Sequence, residues 1–306
     1  MELDGILPVY KPVGITSAGV VSQVRRLLHM RKVGHSGTLD PNVDGVLPIA
    51  LGAATKAVPA LMSLGKTYTG EVTLGFATET EDLDGTEVAR QALAEPFAEA
   101  ALLAGMQQLT GTITQVPPMY SAVKVNGRRL YEYARNGETV ERPSRTATVY
   151  EFVPTAASQF DAESGTQRLQ FSATVSKGTY IRTLAVDLGR LLGVPAVMSQ
   201  LTRVASGGFT LADTLDLRDL TATTAPAAVL AHLRPIEAAY PDLPLVALTE
   251  AQWAQVQNGV GLTLPTTVPQ VGLCEQGTLK AIYARQGELY RPVVMFLANQ
   301  GVTRNS

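Results

Sequence analysis

Residues 34–48, GHSGTLDPNVDGVLP, contain three glycines, two prolines and two carboxylates four positions apart, directly upstream of an apolar run. Pro41 fixes its own φ and pushes Asp40 toward extended geometry, while Gly34, Gly37 and Gly45 have access to conformations closed to other residues. The backbone is shaped here into a stiff loop. Two readings of its acids compete. An Asp-rich turn is most often a solvated turn, in which case Asp44 has no role beyond solvation; alternatively the loop holds a carboxylate for chemistry.

The 306 residues, 45% of them hydrophobic, suffice for a substantial core and for two domains of about 100 to 200 residues each. The longest apolar runs, such as VLPIALGAA from Val46, stop well short of the roughly 20 residues that span a bilayer. The start, MELDGILPVYKP, has no basic leader followed by an apolar core, so a cytoplasmic protein with no membrane partner is expected. A single cysteine, Cys274, excludes an internal disulfide, and His29, His35 and His232 form no zinc-ligand spacing. Any catalysis is expected to need no metal.

The formal net charge of −2 hides an uneven distribution. Between residues 120 and 145 six basic side chains (Lys124, Arg128, Arg129, Arg135, Arg142, Arg145) outnumber three acidic ones and are interleaved with Tyr120, Tyr131 and Tyr133. Cations that meet phosphates beside aromatic faces that stack on bases describe an RNA surface; a solvated helix face is the plain alternative. Residues 79–99 carry seven acids and one arginine, which masks the basic island in the total.

Local patterns predict an α+β core followed by a small β-rich tail. Ser17 is placed to cap a helix running to about His29, with Val20, Val21, Val24, Leu27 and Leu28 at helical spacing and Arg25, Arg26 and Arg31 outside. KTYTGEVTLGF, from Lys66, reads as a strand with Tyr68, Gly70, Val72, Leu74 and Phe76 on one face, which points Tyr68 inward. Asn126-Gly127 signals a hairpin followed by a short helix, and residues 168–193 read as strand, Lys177-Gly178 turn and helix. Pro235, Pro241 and Pro244 mark a linker near residue 240. A domain at 1–240 is therefore expected to precede one at 241–306, whose β-prone segments fit either a binding appendage or a stabilising lobe.

No Walker loop, no GxGxxG after a strand, no GxSxG elbow and no HExxH is present, which disfavours nucleotide hydrolases, dehydrogenases, serine hydrolases and zincins. One rigidly framed carboxylate, one inward tyrosine and one arginine on a Gly-turn-helix remain. A carboxylate nucleophile or base acting on a sugar or nucleobase needs nothing more.

In order, spacing and chemistry these motifs resemble those of the bacterial tRNA pseudouridine-55 synthases, which isomerise one uridine in the T-arm of tRNA. The matching stretches are YKPVGITS (10–17), GHSGTLDP with GVLP and LGAATK (34–56), KTYTGEVTLG (66–75), TEDLDG (80–85), PPMYSAVKVNGRRLYEYAR (117–135) and SKGTYIRTLAVDLG (176–189). Together they span most of residues 5–210. The tail resembles the family's RNA-binding PUA domain loosely. The resemblance implies an α+β catalytic domain of the pseudouridine synthase type, built round a mixed, largely antiparallel sheet, and a small β-rich C-terminal PUA-like domain. It also implies no metal or organic cofactor and action on the T-arm stem-loop of tRNA; a monomer is expected.

By motif, Asp40 takes the position of the family's catalytic aspartate, Tyr68 that of the tyrosine stacked against the target base, and Arg182 that of the arginine paired with the aspartate. His35 takes that of the histidine inserted into the RNA loop as the base leaves. Lys11 and Asp82 match residues that frame the substrate site, and Leu201 lies where the family lines the pocket floor. Lys124, Arg128 and Arg129 are expected to bind the RNA. One departure follows Asp40-Pro41, where the family usually has a small residue and then a neutral one, and Val43 and Asp44 stand instead.

The residue types suit these roles. Flipping a base out of folded RNA costs on the order of a few kcal/mol, and stacking on an aromatic face offsets roughly 1 to 3 kcal/mol of it. A carboxylate in a desolvating pocket stays ionised more readily beside a guanidinium. Intact Asp40 favours an RNA-modifying enzyme over a non-catalytic RNA-binding or tRNA-folding factor on the same scaffold. Attack at the ribose carbon and attack at the uracil ring both need this one carboxylate.

Overall fold

The computed structural model describes residues 3–218, 220–221 and 223–301. The chain divides into two compact units, one of Met1–Leu64 with Ala205–Ser306 and one of Gly65–Val204.

In the first unit the strand Gly5–Lys11 lies between Asp44–Leu51, antiparallel to it, and the short Leu215–Asp216, parallel to it. Val33–His35 pairs with the far end of Asp44–Leu51. The helix Ser17–Leu28 buries Val20, Val21, Val24 and Leu28 in one cluster with Leu7, Val9, Leu47 and Ile49, the stripe that its spacing defines. Its cap is Thr16 rather than Ser17. Thr16 has the extended backbone that a cap requires and accepts from Gly19 N at 2.9 Å, whereas Ser17 is already helical.

The C-terminal strands Gln270–Glu275, Thr278–Gln286 and Leu289–Met295 form an antiparallel meander, with Leu245–Ala247 parallel to the first. Val271, Leu273, Ala281 and Tyr283 form a core with Val256, Leu262 and Leu264. Leu279, Ile282 and Phe296 instead enter a core with Ile6, Val46, Ala50, Ala54 and Leu61. The proline-rich stretch near 240 contributes to that second core: Ile236–Ala239 is a 3-10 turn with both end residues buried in it.

The second unit follows the strand order Ala196–Ser206 (up to Val204), Lys66–Leu74, Thr166–Val175, Arg145–Pro154, Gly111–Gln115. Thr166–Val175 is antiparallel to both neighbours, and Gly111–Gln115 is antiparallel to Arg145–Pro154. The sheets are thus mixed and largely antiparallel, as the family resemblance implies. Tyr68, Val72 and Leu74 are buried on one face of their strand, but the strand ends at Gly75, whose φ is +114°. Phe76 therefore does not continue that face. It starts a short hairpin with Glu87–Arg90, and Arg90 lies 5.1 Å from its ring centroid. Thr166–Val175 leads through the Lys177-Gly178 turn into the helix Ile181–Leu192. Among the described residues no helix is long and apolar enough to cross a membrane.

Candidate active site

Asp40 is half-buried in the loop between Val33–His35 and Asp44–Leu51, and the backbone is tied on both sides of it. Ser17 Oγ accepts from Leu39 N at 2.9 Å and donates to Leu39 O at 3.2 Å. Pro41 O accepts from Gly14 N at 2.9 Å and from the Lys11 ammonium at 3.1 Å, and Val43 N donates to Asp40 O at 3.1 Å. Val43 is buried. A carboxylate carried on a backbone fixed at the preceding and following residues reacts with little reorganisation.

Lys11 is 0% exposed, and its Nζ also donates to Pro12 O at 2.9 Å and Ile15 O at 2.7 Å. It frames the loop that carries Asp40 from inside. His35 is half-buried at the end of its short strand, opposite Ile49.

Asp44 begins the strand after the loop and accepts the Tyr10 hydroxyl at 2.6 Å. That bond, followed by burial, raises the Tyr10 phenol above its ordinary range. Arg218 lies 5.6 Å from the Tyr10 ring centroid. The second acid is therefore a tie between neighbouring strands rather than a merely solvated turn residue.

Replacing Ser17 by Ala leaves the buried Leu39 N–H and C=O without this partner, at a cost of about 1–3 kcal/mol. The expected result is a lower melting temperature; an unchanged one contradicts the role of this tie.

In the second unit Arg182 occupies the first turn of its helix and is only 6% exposed, a position an arginine holds only when paired. Nη1 donates to Thr80 O and Nη2 to Tyr120 O, each at 2.9 Å, and Nε lies 3.6 Å from Asp82 Oδ2. Asp82 is oriented in turn by the Thr80 hydroxyl and by Asp84 N. Next to it, Glu81 sits at a φ of +66° and accepts from Thr183 Oγ1 at 2.9 Å. Burial pushes the Glu81 carboxyl up, while the Thr183 bond and Arg182 oppose that shift.

Tyr68 is 7% exposed. Two residues along the same face, Gly70 admits a close approach: a Cβ there would stand 2.4 Å from Gln200 O and 3.1 Å from Leu201 Cδ1. Leu201 consequently packs over Gly70 on the face that carries Tyr68. At the start of this strand burial lowers the Lys66 ammonium to about 8, with Arg203 and Lys177 as smaller causes. Asp40, His35 and Lys11 thus belong to the first unit, and Tyr68, Asp82, Arg182 and Leu201 to the second.

The basic island is a hairpin, Lys124–Val125 with Arg128–Arg129, turned by Asn126 and Gly127 at φ +50° and +82°, and followed by the helix Leu130–Arg135. Its guanidinium groups lie over aromatic rings. Arg128 is 4.3 Å from the Tyr133 centroid and pairs with Glu138 at 2.9 Å, and Arg129 is 5.8 Å from that of Tyr131. Lys124 is exposed.

Residues 25–181 match the TruB family pseudouridylate synthase (N terminal domain), and residues 182–240 match the tRNA pseudouridylate synthase B C-terminal domain. A Lacticaseibacillus paracasei protein named tRNA pseudouridine synthase B is 58% identical over 298 residues, which cover 97% of this chain and 99% of that protein. A protein of the same name from Lactiplantibacillus plantarum is 53% identical over 306 residues, covering 97% and 100%. Of the solved structures, a chain of a Cbf5-Nop10-Gar1 complex superposes with a TM-score of 0.71 at 27% identity, over 95% of this chain and 84% of that one. A chain of an H/ACA RNP bound to a substrate RNA containing 2'-deoxyuridine gives 0.68 at 25% identity, with the same coverage of each. The chain belongs to the TruB family of pseudouridylate synthases.

Proposed function

We propose that this tRNA pseudouridine synthase acts at position 55 in the T-arm of tRNA, in the cytoplasm and as a monomer, with Asp40 as the carboxylate that attacks the flipped-out nucleotide. The observation that carries this reading is the pinned loop: Leu39 and Pro41, on either side of Asp40, are held by Ser17, Gly14 and Lys11. The reaction is an isomerisation. The bond from the ribose C1' to uracil N1 breaks and one from C1' to C5 forms, while C5 gives up its proton and N1 takes one up, so no atom is gained overall and no oxidant is needed. A single carboxylate serving as nucleophile or base meets that demand.

By the motifs that each matches, Tyr68 supplies the face on which the base stacks, Leu201 the floor, and His35 the side chain that fills the vacated place in the RNA loop. Arg182 supplies the positive charge that favours an ionised carboxylate, and Asp82 orients Arg182. The direct test is incubation of an unmodified tRNA transcript with the purified protein, followed by mapping of pseudouridine. Conversion at position 55 is expected. RNA binding without any conversion replaces the enzyme by the non-catalytic alternative.

The hairpin of Lys124, Arg128 and Arg129 holds RNA phosphates. Arg128 exchanges Glu138 for phosphate readily, because an exposed ion pair is weak. Replacing Arg128 and Arg129 together by Ala is expected to reduce the slope of log affinity against log salt by roughly 0.7 to 0.9 for each phosphate the two arginines neutralise. Filter binding across a salt series checks this, and an unchanged slope moves the RNA surface elsewhere.

A further inference from the structure

We infer that Gln115 is a positioning residue for this reaction, which grips the backbone of Tyr180 and thereby fixes the first helical turn that carries Arg182. The inference rests on the role proposed above for Arg182.

Gln115 ends the strand Gly111–Gln115 and is 0% exposed. Its Oε1 accepts from Tyr180 N at 2.9 Å and its Nε2 donates to Tyr180 O at 3.1 Å. One side-chain amide thus satisfies both backbone groups of a single residue, as a paired strand would. That residue is the cap of the helix Ile181–Leu192. Tyr180 makes no capping bond with its own side chain, and its carbonyl also accepts the helical bond from Leu184 N at 3.0 Å. What holds Tyr180 therefore sets where the helix begins.

Arg145 is the register partner of Gln115 on the neighbouring strand, and directly opposed residues share a face of the sheet. Its guanidinium lies 5.0 Å from the Tyr180 ring centroid. The cross-strand pair addresses one residue twice, Gln115 at its backbone and Arg145 at its ring. The chain leaving Gln115 then returns to the helix, since Tyr120 O accepts from Arg182 Nη2 at 2.9 Å. Residues 115–120 thus hold the first turn at positions 180 and 182. A leucine would fill the buried space of Gln115 but leave Tyr180 N without this acceptor, so the amide both satisfies the cap residue and fixes its position.

The test compares single-turnover pseudouridine formation with tRNA affinity for Gln115→Leu, Gln115→Glu, Arg182→Lys and the double variant Gln115→Leu with Arg182→Lys. Gln115→Leu is expected to slow turnover about a hundredfold, the scale of a 1 Å misplacement, with tRNA affinity unchanged. In the Arg182→Lys background it is expected to add nothing, because the group being positioned is already gone; an additive loss overturns the inference.

Gln115→Glu gives a signature that mere packing does not. The protonated acid reproduces both bonds to Tyr180, whereas the ionised one sets an anion against Tyr180 O. Its rate relative to the unsubstituted protein is expected to fall as pH rises through the carboxyl's pKa, which burial raises and Arg145 lowers. The charged groups round Arg182 and Glu81, namely Asp82, Arg142 and Asp187, are present in both proteins, so the ratio reads the introduced carboxyl together with its coupling to them. A flat ratio overturns the inference, and this arm decides alone where Gln115→Leu does not fold. An Arg182→Lys variant with full activity removes the role of Arg182 itself, an outcome distinct from additivity.

Discussion

Asp40→Asn is expected to lower single-turnover pseudouridine formation by more than about a thousandfold, whichever of nucleophile or base the carboxylate is. Asparagine keeps the shape and hydrogen-bonding capacity of aspartate but not its charge. The backbone ties of Leu39, Asp40 and Pro41 to Ser17, Gly14, Lys11 and Val43 stay in place in this variant. Affinity for tRNA should therefore stay within about tenfold, or roughly 1.4 kcal/mol.

The neighbouring acid is the control. Asp44 accepts the Tyr10 hydroxyl, a bond that the side-chain oxygen of asparagine also accepts, so Asp44→Asn should retain most turnover. Measured at saturating enzyme with parallel filter binding, an active Asp40→Asn beside a dead Asp44→Asn would sink the assignment.

The legible parts of this chain are those whose cause is local. The Asn126-Gly127 turn, the strand-turn-helix of residues 168–193 and the inward Tyr68 all follow from spacing, since period and turn chemistry act over a few residues. The stiffness of the Asp40 loop was legible in Pro41 and its glycines. What secures that loop was not: Ser17 reaches Leu39 across 22 positions, and Lys11 reaches Pro41 across 30. Arg182 finds Thr80 at a separation of 102, and Gln115 finds Tyr180 at 65, with nothing at either end to announce the pairing. Ser17 misled because a serine at a helix start looks like a cap wherever its hydroxyl points. Asp44 misled because an acid after Asp-Pro in a turn has the composition of a solvated residue, and only the register of Gly5–Lys11 against Asp44–Leu51 brings Tyr10 to it.

Ending the chain at Tyr240 is expected to prevent cooperative folding of the remainder, not merely to weaken its hold on tRNA. The prolines near 240 suggest a separable tail, and Val271, Leu273, Ala281 and Tyr283 do close a core within it. Yet Leu279, Ile282 and Phe296 are buried in one cluster with Ile6, Val46, Ala50 and Leu61. Full burial of such side chains contributes about 1.5–3 kcal/mol each, so these three alone approach the roughly 5–15 kcal/mol of net stability typical of a folded protein. Polar ties go with them. The buried Asp4 loses the donor Gln300 N, the Lys56 ammonium loses Met295 O, and Glu237 Oε1 loses Leu279 N. The truncated chain should thus show no sharp melting transition and should expose apolar surface to a dye such as ANS. Residues 241–306 supplied as a separate chain should restore the transition, because their second core gives them a surface to present. A truncated protein that melts as sharply and as high as the full chain, and still modifies an isolated T-arm hairpin, would show instead that Ile6, Val46 and Leu61 need no cover and that the tail is an appendage.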